Sequence, residues 1–198
     1  MSKKESPEQA KLTRAEEFKF DLYGWLQTLT IVLTILILLF TFAGRIISVD
    51  GNSMLPTLHH GDLLLLRSAG YTPEQGDIVV LTKDFSYHVG DSIVKRVIAV
   101  GGQTVRIDYG DGTVYVDGVA LDEPYIKERM VRPAGETIEE LTVPEGSVFV
   151  MGDNRNDSSD SRIYELGAID NRYIIGKMVT ILVSPFQLGL TDGTKGGA

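Results

Sequence analysis

The chain has 198 residues, 43% hydrophobic and 23% charged, which is enough for one compact domain with an appendage. Its formal net charge of -8 argues against nucleic acid as the main partner, because phosphate binding needs a basic surface. The absence of cysteine excludes disulfides, thiolate metal sites and a cysteine nucleophile.

The chain begins with a polar segment, residues 1–21, that we interpret as a cytoplasmic tail. An uncharged apolar run follows from Leu22 to Gly44, and a helix needs about 20 such residues to cross a bilayer. A cleaved signal peptide has a shorter apolar stretch, of about 7–15 residues. A core helix that is apolar on every side would be unusual in so small a protein. We therefore predict an uncleaved transmembrane helix over residues 22–44.

The basic residues predict the orientation of this helix. Five lysines and arginines precede it, whereas only Arg45 follows it closely. Because Lys and Arg concentrate on the cytoplasmic side of a span, we expect a single-pass protein of the cell membrane. Its N-terminus would be cytoplasmic and its catalytic part extracellular.

Beyond the apolar run, short stretches rich in Val and Ile are separated by Gly, Asp and Pro, a pattern typical of β-strands. The predicted strands are residues 62–67, 77–82, 93–100, 104–107, 113–116, 147–151 and 174–183. We expect a main β domain of residues 45–102 and 146–190, and a flexible C-terminal tail, 191–198. Tight hairpin turns near Gly110 and Gly118 predict a small β insert, residues 103–145.

A serine lies just beyond the predicted span, in the segment Gly51-Asn-Ser-Met-Leu-Pro-Thr-Leu58. The neighbouring Gly and Asn, with Pro56 three residues on, predict a constrained turn that exposes the Ser53 hydroxyl. Such a turn can also aim backbone N–H groups at one point, as an oxyanion hole requires. A serine that merely caps a turn would look the same.

Lys95 belongs to one of the predicted strands. Because side chains alternate along a strand, it shares a face with Ile93, Val97 and Ala99, while Arg96 lies on the opposite face. Apolar surroundings lower the pKa of a lysine, and a neutral amine is a competent general base. A lysine that reaches solvent from a strand end is the commoner case, so both interpretations stay open.

The segment 151–162, Met-Gly-Asp-Asn-Arg-Asn-Asp-Ser-Ser-Asp-Ser-Arg, follows a predicted strand and is dense in hydrogen-bonding side chains. It lacks the residue spacing of an EF-hand calcium loop. A loop that organises other groups by hydrogen bonds fits better. Ser158 could orient an amine. Asp160 could pair with Arg162 or Arg96.

In their order along the chain, these segments resemble the type I signal peptidases, specifically the short Gram-positive kind with one membrane anchor. The order is an anchor, Ser53-Met-Leu-Pro-Thr-Leu58, Lys95-Arg96-Val97 and Gly152-Asp-Asn-Arg-x-x-Ser-x-Asp-Ser-Arg162. The resemblance covers residues 22–185. It implies a mainly β fold, with an N-terminal transmembrane helix followed by two antiparallel β-sheet domains. It also implies a serine endopeptidase that removes signal peptides from exported preproteins.

The resemblance assigns roles to individual residues. Ser53 would be the nucleophile and Lys95 the general base of a Ser/Lys dyad. Ser158 would orient the Lys95 amine, and Asp160 would position the surrounding loop. The ionic partners in this loop would be Arg96 and Arg162. No cofactor or metal is implied.

The resemblance also implies how substrate is bound. Met54, Leu58 and Val94 would line shallow pockets for small side chains at the −1 and −3 positions of the cleavage site. Some relatives carry a second oxyanion donor as a serine hydroxyl two residues before the nucleophile, where this chain has Gly51. Here the second donor would be a backbone group, a water or absent. Besides preproteins, the implied partners are membrane lipid and the secretion translocon, with no nucleic acid.

Two alternatives compete with this interpretation. Self-cleaving, repressor-type Ser–Lys enzymes share a related β core, but they are soluble and carry DNA-binding or oligomerisation parts. The other alternative is a non-enzyme, either a membrane-tethered β adaptor or a degenerate homologue that only binds. Such a protein would not need the four residues Ser53, Lys95, Ser158 and Asp160 together.

Overall fold

The computed structural model describes residues 14–42, 44–68, 70–82 and 92–189. Within the first range, side chains are described for residues 18–19 and 21–37. Most of the predicted N-terminal tail and the whole predicted C-terminal tail lie outside the described residues. The chain divides into two compact units, Met1–Ala43 and Gly44–Ala198.

The first unit contains one described helix, α1 (Arg14–Phe42). Its described large apolar side chains, from Phe18 to Ile37, are 41–76% exposed. The hydroxyls of Thr28, Thr30 and Thr34 donate to carbonyls four residues earlier, which satisfies these polar groups within the helix. Among the described residues, no helix is both long and apolar enough to cross a membrane. The transmembrane helix stays a prediction.

The described part of the second unit contains two antiparallel sheets. Its strands are β1 (Arg45–Ser48), β2 (Leu63–Arg67), β3 (Ile78–Leu81), β4 (Ile93–Val100), β5 (Thr104–Asp108), β6 (Thr113–Val116), β7 (Val119–Ala120), β8 (Glu140–Thr142), β9 (Ser147–Met151), β10 (Ile169–Asp170) and β11 (Ile174–Val183). The larger sheet has the order β1-β2-β11-β3-β4-β9-β10, and the smaller has the order β7-β6-β5-β8. The mainly β, antiparallel fold predicted from the sequence is confirmed.

Four of these strands were not predicted: β1, β7, β8 and β10. They have only two to four residues, too few to show a periodic pattern. The small sheet runs from β5 to β8, within residues 103–145. The domain boundaries predicted around it stay a prediction.

Strand β4 contributes to each of the three buried hydrophobic clusters among the described residues. Val94, Val97 and Ile98 each lie in a different cluster. Ala99 lies in the same cluster as Ile98, because the pairing of β4 with β9 shifts register between Val97 and Ala99. Such a bulge re-aims the side chains beyond it. The alternation predicted for this strand therefore fails in its second half.

Candidate active site

A cleft of about 760 Å³ opens on the second unit. Its walls are the end of β1 with the turn that follows, the start of β4, and residues 157–159. The Ser53, Lys95 and Ser158 side chains predicted to act together all belong to residues that line it. The fold thus brings three segments that are distant in sequence to one cavity.

Ser53 lies in a turn that is anchored from below by the core. Met54 and Leu58, which follow it, are only 2% and 0% exposed. Backbone bonds from Leu55 N to Asn52 O (3.2 Å) and from Leu58 N to Met54 O (2.9 Å) hold the turn together. Gly51 enters it with a φ of 94°, which a residue without a Cβ adopts at no steric cost.

The Lys95 amine lies within hydrogen-bond distance of the Ser53 hydroxyl. Its Nζ is 2.7 Å from Ser53 Oγ and 3.2 Å from the Val94 carbonyl oxygen. Lys95 is only 3% exposed, and burial lowers its pKa from 10.5 to about 8, because an ammonium loses hydration there. The Asp160 carboxylate opposes this shift, and the Arg162 guanidinium adds to it. The lysine does not reach solvent, so the alternative of an exposed strand-end lysine is excluded.

Asp160 is the centre of the loop that closes one side of the cleft. Its carboxylate accepts bonds from Arg162 Nε (2.8 Å), Ser158 Oγ (2.8 Å) and Gly152 N (2.9 Å). Burial alone would raise its pKa, but the charge of Arg162 and these hydrogen bonds outweigh burial and hold the pKa below 3.8. Asp160 is therefore ionised and paired with Arg162. Of the two partners that the sequence left open, Arg162 and Arg96, the structure shows Arg162.

Ser158 donates its hydroxyl proton to Asp160, so the lone pairs of its oxygen remain available as acceptors. Ser158 and Lys95 line the same cleft. The described hydrogen bonds of the Lys95 amine go to Ser53 and Val94. The predicted bond between Ser158 and Lys95 is not among the described contacts.

Arg96 does not pair with Asp160. It forms a two-fold ion pair with Asp153, with distances of 2.8 Å from Nε and 2.6 Å from Nη2. The reason is that Arg96 lies on the face of β4 opposite Lys95, and Asp160 is already occupied by Arg162. Tyr125 covers the pair, with the Arg96 guanidinium 3.9 Å from its ring centre.

The predicted substrate-contacting residues divide into two groups. Val94 lines the cleft. Met54 and Leu58 are not among the residues that line the cleft, because their side chains are almost completely buried, at 2% and 0% exposed. Ile47 and Ile93 supply apolar wall instead. Ile93 could have been predicted as a cleft residue, because it lies two residues from Lys95 on the same strand face. Nothing in the sequence of β1 indicates that Ile47 lines the cleft.

Comparisons with known proteins agree with the motif resemblance. A profile of the family described as "Signal peptidase, peptidase S26" matches residues 22–183. The chain is 41% identical over 156 residues to a probable signal peptidase I-1 of Synechocystis, covering 75% of this chain and 76% of that protein. It is 35% identical over 183 residues to a signal peptidase I of Bacillus licheniformis, covering 88% and 95%.

Two further relatives are similar. Signal peptidase IB of Staphylococcus aureus is 32% identical over 177 residues, covering 81% of this chain and 88% of that protein. A crystal structure of a signal peptidase I from Enterococcus faecalis is 32% identical, with a TM-score of 0.42, and the match covers 54% of this chain and 97% of that chain.

The chain is therefore an enzyme, a serine peptidase. It belongs to the signal peptidase family, peptidase S26, and resembles the type I signal peptidases of that family. This membership sets aside both alternatives, the binding-only adaptor and the repressor-type enzyme. The narrower assignment to the Gram-positive kind with one anchor stays a prediction.

Proposed function

We propose that the protein is a membrane-anchored endopeptidase that removes signal peptides from exported preproteins, with a Ser53–Lys95 dyad. One observation carries the proposal: a buried lysine whose Nζ lies 2.7 Å from a serine hydroxyl oxygen at the wall of an open cleft. A nucleophile and a base within about 2.6–3.2 Å of each other form the arrangement that activates a hydroxyl.

In the first half of the reaction, neutral Lys95 takes the proton of the Ser53 hydroxyl as the serine oxygen attacks the scissile carbonyl. The Ser53 N–H donates to the oxygen that becomes negative. The Lys95 ammonium then gives its proton to the leaving amine, and the C–N bond breaks. The mature protein departs, and the signal peptide remains as an ester on Ser53.

In the second half, Lys95 is neutral again and accepts a proton from a water molecule that attacks the ester. The tetrahedral adduct collapses, Ser53 recovers its proton from Lys95, and the signal peptide leaves as a carboxylic acid. Ser158, whose hydroxyl is fixed by Asp160, would accept a bond from the amine when the amine turns away from Ser53 during the reaction. Asp160 in turn is held by Arg162.

Two strand edges suit the cleft to an extended substrate. Among the described residues, β1 pairs only with β2, and β4 pairs with β9 only from Arg96 onward. Backbone groups of Ile47–Ser48 and Ile93–Val94 therefore remain available where these residues line the cleft. A peptide strand placed between them would gain main-chain bonds on both sides. The side chains of Ile47, Ile93 and Val94 would leave only shallow room at −1 and −3.

The anchor and the lipid contact are supported by exposed apolar surface. The described part of α1 exposes large apolar side chains along its length, and residues 22–44 contain no charge. In the second unit, Ile46 on β1 and Leu182 and Val183 on β11 are 42–63% exposed. We place the N-terminus in the cytoplasm and the second unit outside the cell membrane. Exported preproteins, membrane lipid and the secretion translocon are the partners that this arrangement would meet.

The direct test uses the full chain in detergent with a preprotein that has Ala at −1 and −3. The wild-type enzyme should cut after the −1 residue. Ser53→Ala and Lys95→Met should each lower kcat by at least about 10⁴-fold, the scale of losing a nucleophile or its base. Gel mobility and mass of the product report the cleavage.

Lys177→Met is a matched control, because Lys177 is also a strand lysine of the large sheet but pairs with Asp77 outside the cleft wall. It should retain wild-type activity within about twofold, as expected when no interaction of the transition state is removed. Cleavage that survives in both Ser53→Ala and Lys95→Met would overturn the dyad.

A further inference from the structure

The carbonyl groups on either side of the Ser53 Cα both accept a hydrogen bond from Asn154, and the Asn52 carbonyl oxygen accepts a second bond from Leu55 N at 3.2 Å. The side-chain Nδ2 of Asn154 donates to the Asn52 carbonyl oxygen at 3.1 Å. Its backbone N–H donates to the Ser53 carbonyl oxygen at 3.0 Å. Asn154 is only 1% exposed, so water does not compete for these bonds. Two consecutive peptide planes of the nucleophile turn are thereby fixed from the same side.

A fixed carbonyl also fixes an N–H. The Asn52–Ser53 peptide bond is planar, and in a trans peptide the C=O and the N–H point in opposite directions. Because the Asn52 carbonyl points to Asn154, the Ser53 N–H points away from it. Among the described residues, no group accepts a hydrogen bond from this N–H. A free backbone donor at a residue of the cleft wall is what a developing oxyanion requires.

Asn154 is itself rigidly supported. Its carbonyl accepts from Asp157 N at 3.0 Å, and the carbonyl of the preceding Asp153 accepts from Lys127 N at 3.1 Å. The Asp153 side chain is bound by Arg96 and by Thr57, a residue of the nucleophile turn. The amide that reaches Asn52 therefore projects from a backbone that cannot easily shift.

We infer that Asn154 is a positioning residue that aims the Ser53 N–H at the oxyanion. The inference rests on the function proposed for Ser53. The direction of the Ser53 N–H matters more here than in an enzyme with a side-chain oxyanion donor, since position 51 is a glycine. With Gly51 unable to contribute a hydroxyl, the direction of the Ser53 N–H determines how well the transition state is stabilised.

The test replaces the donor with a hydrocarbon of similar size, in Asn154→Leu. The Asn154 Oδ1 is buried without a described partner, so the substitution removes one donated bond and no accepted one. Asn154→Ala removes the same donor and takes its place if the leucine variant does not fold, as judged by its unfolding temperature. Gln75→Leu is the control, because its amide also donates to a backbone carbonyl, that of Ile98 at 2.9 Å, away from the nucleophile turn.

Three measurements separate positioning from general loosening of the loop. The first is kcat and KM for a peptide with Ala at −1 and −3. The second is the affinity for a boronic acid analogue of that peptide, whose tetrahedral adduct with Ser53 presents an oxygen to the donor. The third is the affinity of the uncleaved peptide, measured by fluorescence in a Ser53→Ala background with and without Asn154→Leu.

For Asn154→Leu we expect kcat and the boronate affinity to fall together, about 10- to 100-fold, since complete loss of an oxyanion donor costs about 10²–10³-fold. KM, the affinity for the uncleaved peptide and the midpoint of the pH profile should stay as in the wild type. Gln75→Leu should leave all of these values unchanged.

An unchanged kcat in Asn154→Leu would overturn the inference while leaving the dyad intact. Parallel losses of boronate and peptide affinity, or an equal loss of kcat in Gln75→Leu, would also overturn it, because each indicates a general effect and not positioning by Asn154. Continued cleavage by Ser53→Ala would instead overturn the proposed function, and the inference with it.

Discussion

The Lys95 side chain is surrounded by apolar neighbours and not by water, which increases the fraction of this lysine that is in the neutral form. With a pKa of about 8, about one molecule in ten carries the neutral amine at pH 7, against fewer than one in a thousand for an exposed lysine. Ser53 is within reach of that amine. A single buried side chain therefore presents a partly neutral amine under conditions where lysine is ordinarily protonated.

The pH dependence follows from this shift. Because the neutral form is the base, kcat/KM should rise as pH increases and level off above a midpoint near 8. Asp157 raises the Lys95 pKa, so Asp157→Asn should move the midpoint to lower pH, and added salt should shrink that difference. A midpoint above 10 in the wild type, measured by peptide cleavage, would contradict a buried base.

The sequence motifs correctly predicted that Ser53 and Lys95 are neighbours but gave the wrong partner for Arg96. Ser53 and Lys95 were paired by family resemblance, and strand alternation placed the lysine among apolar residues. The partner of Arg96 was wrong because a motif does not say which of two nearby carboxylates is already occupied. Met54 and Leu58 were assigned to substrate binding because the sequence alone does not show that tertiary packing buries them under the turn.

At the scale of elements, residues 153–156 are held by the segment between β7 and β8 of the smaller sheet. Arg155, at 1% exposure, donates to Glu123 through both Nη atoms. The Asn156 side chain accepts from Val131 N and donates to Arg129 O. These contacts join residues 123–131 to residues 153–156. The segment between β7 and β8 therefore supports the loop beside the candidate active site.

Removing one partner of this buried ion pair should be costly. Glu123→Gln would leave the Arg155 charge buried without its counterion, so the free energy of unfolding should fall by about 3–5 kcal/mol. Urea denaturation followed by circular dichroism measures this. Glu139→Gln is the control, since its pair with Arg132 is 52–61% exposed and should contribute no more than about 1 kcal/mol.

The double variant Glu123→Leu/Arg155→Met distinguishes a lost charge partner from lost packing. Replacing both charges with apolar side chains should recover most of the stability. A neutral effect of Glu123→Gln alone would contradict the support that we assign to this pair.

The strands show where local pattern is sufficient and where it is not. Residues 93–100, 113–116, 147–151 and 174–183 were predicted with the bounds that β4, β6, β9 and β11 have, because each is bounded by turn residues and rich in Val or Ile. The bulge in β4 was not predicted. It arises from pairing with β9, and the strand's own sequence does not encode its partner.

At the scale of the whole molecule, the two units differ in what they expose. The described part of α1 is apolar on its surface, whereas the second unit buries its apolar residues in three clusters. A net charge of -8 keeps such a β unit soluble in water. This difference fits α1 in lipid and the second unit in an aqueous compartment. Labelling of intact cells tests on which side of the membrane the second unit lies.

Because the sequence contains no cysteine, a thiol label reacts with this protein only at an introduced cysteine. Glu136→Cys in the second unit should react with a membrane-impermeant maleimide on intact cells, since Glu136 is exposed. Ser2→Cys should react only after the cells are opened. The reverse pattern, measured by mass shift on a gel, would contradict an extracellular catalytic unit.

The 42-residue separation between Ser53 and Lys95 also has a consequence for synthesis of the protein, since the two residues meet only when the chain folds. An unfolded chain keeps its lysine hydrated, with a pKa near 10.4, so the lysine is protonated and Ser53 is 42 residues away along the chain. With the proposed dyad, proteolytic capacity would appear only when β4 has joined the sheet and the turn of Ser53 has packed against it. A newly made molecule that is still emerging from the cell's export machinery would be inert toward its neighbours, with no inhibitor or propeptide required.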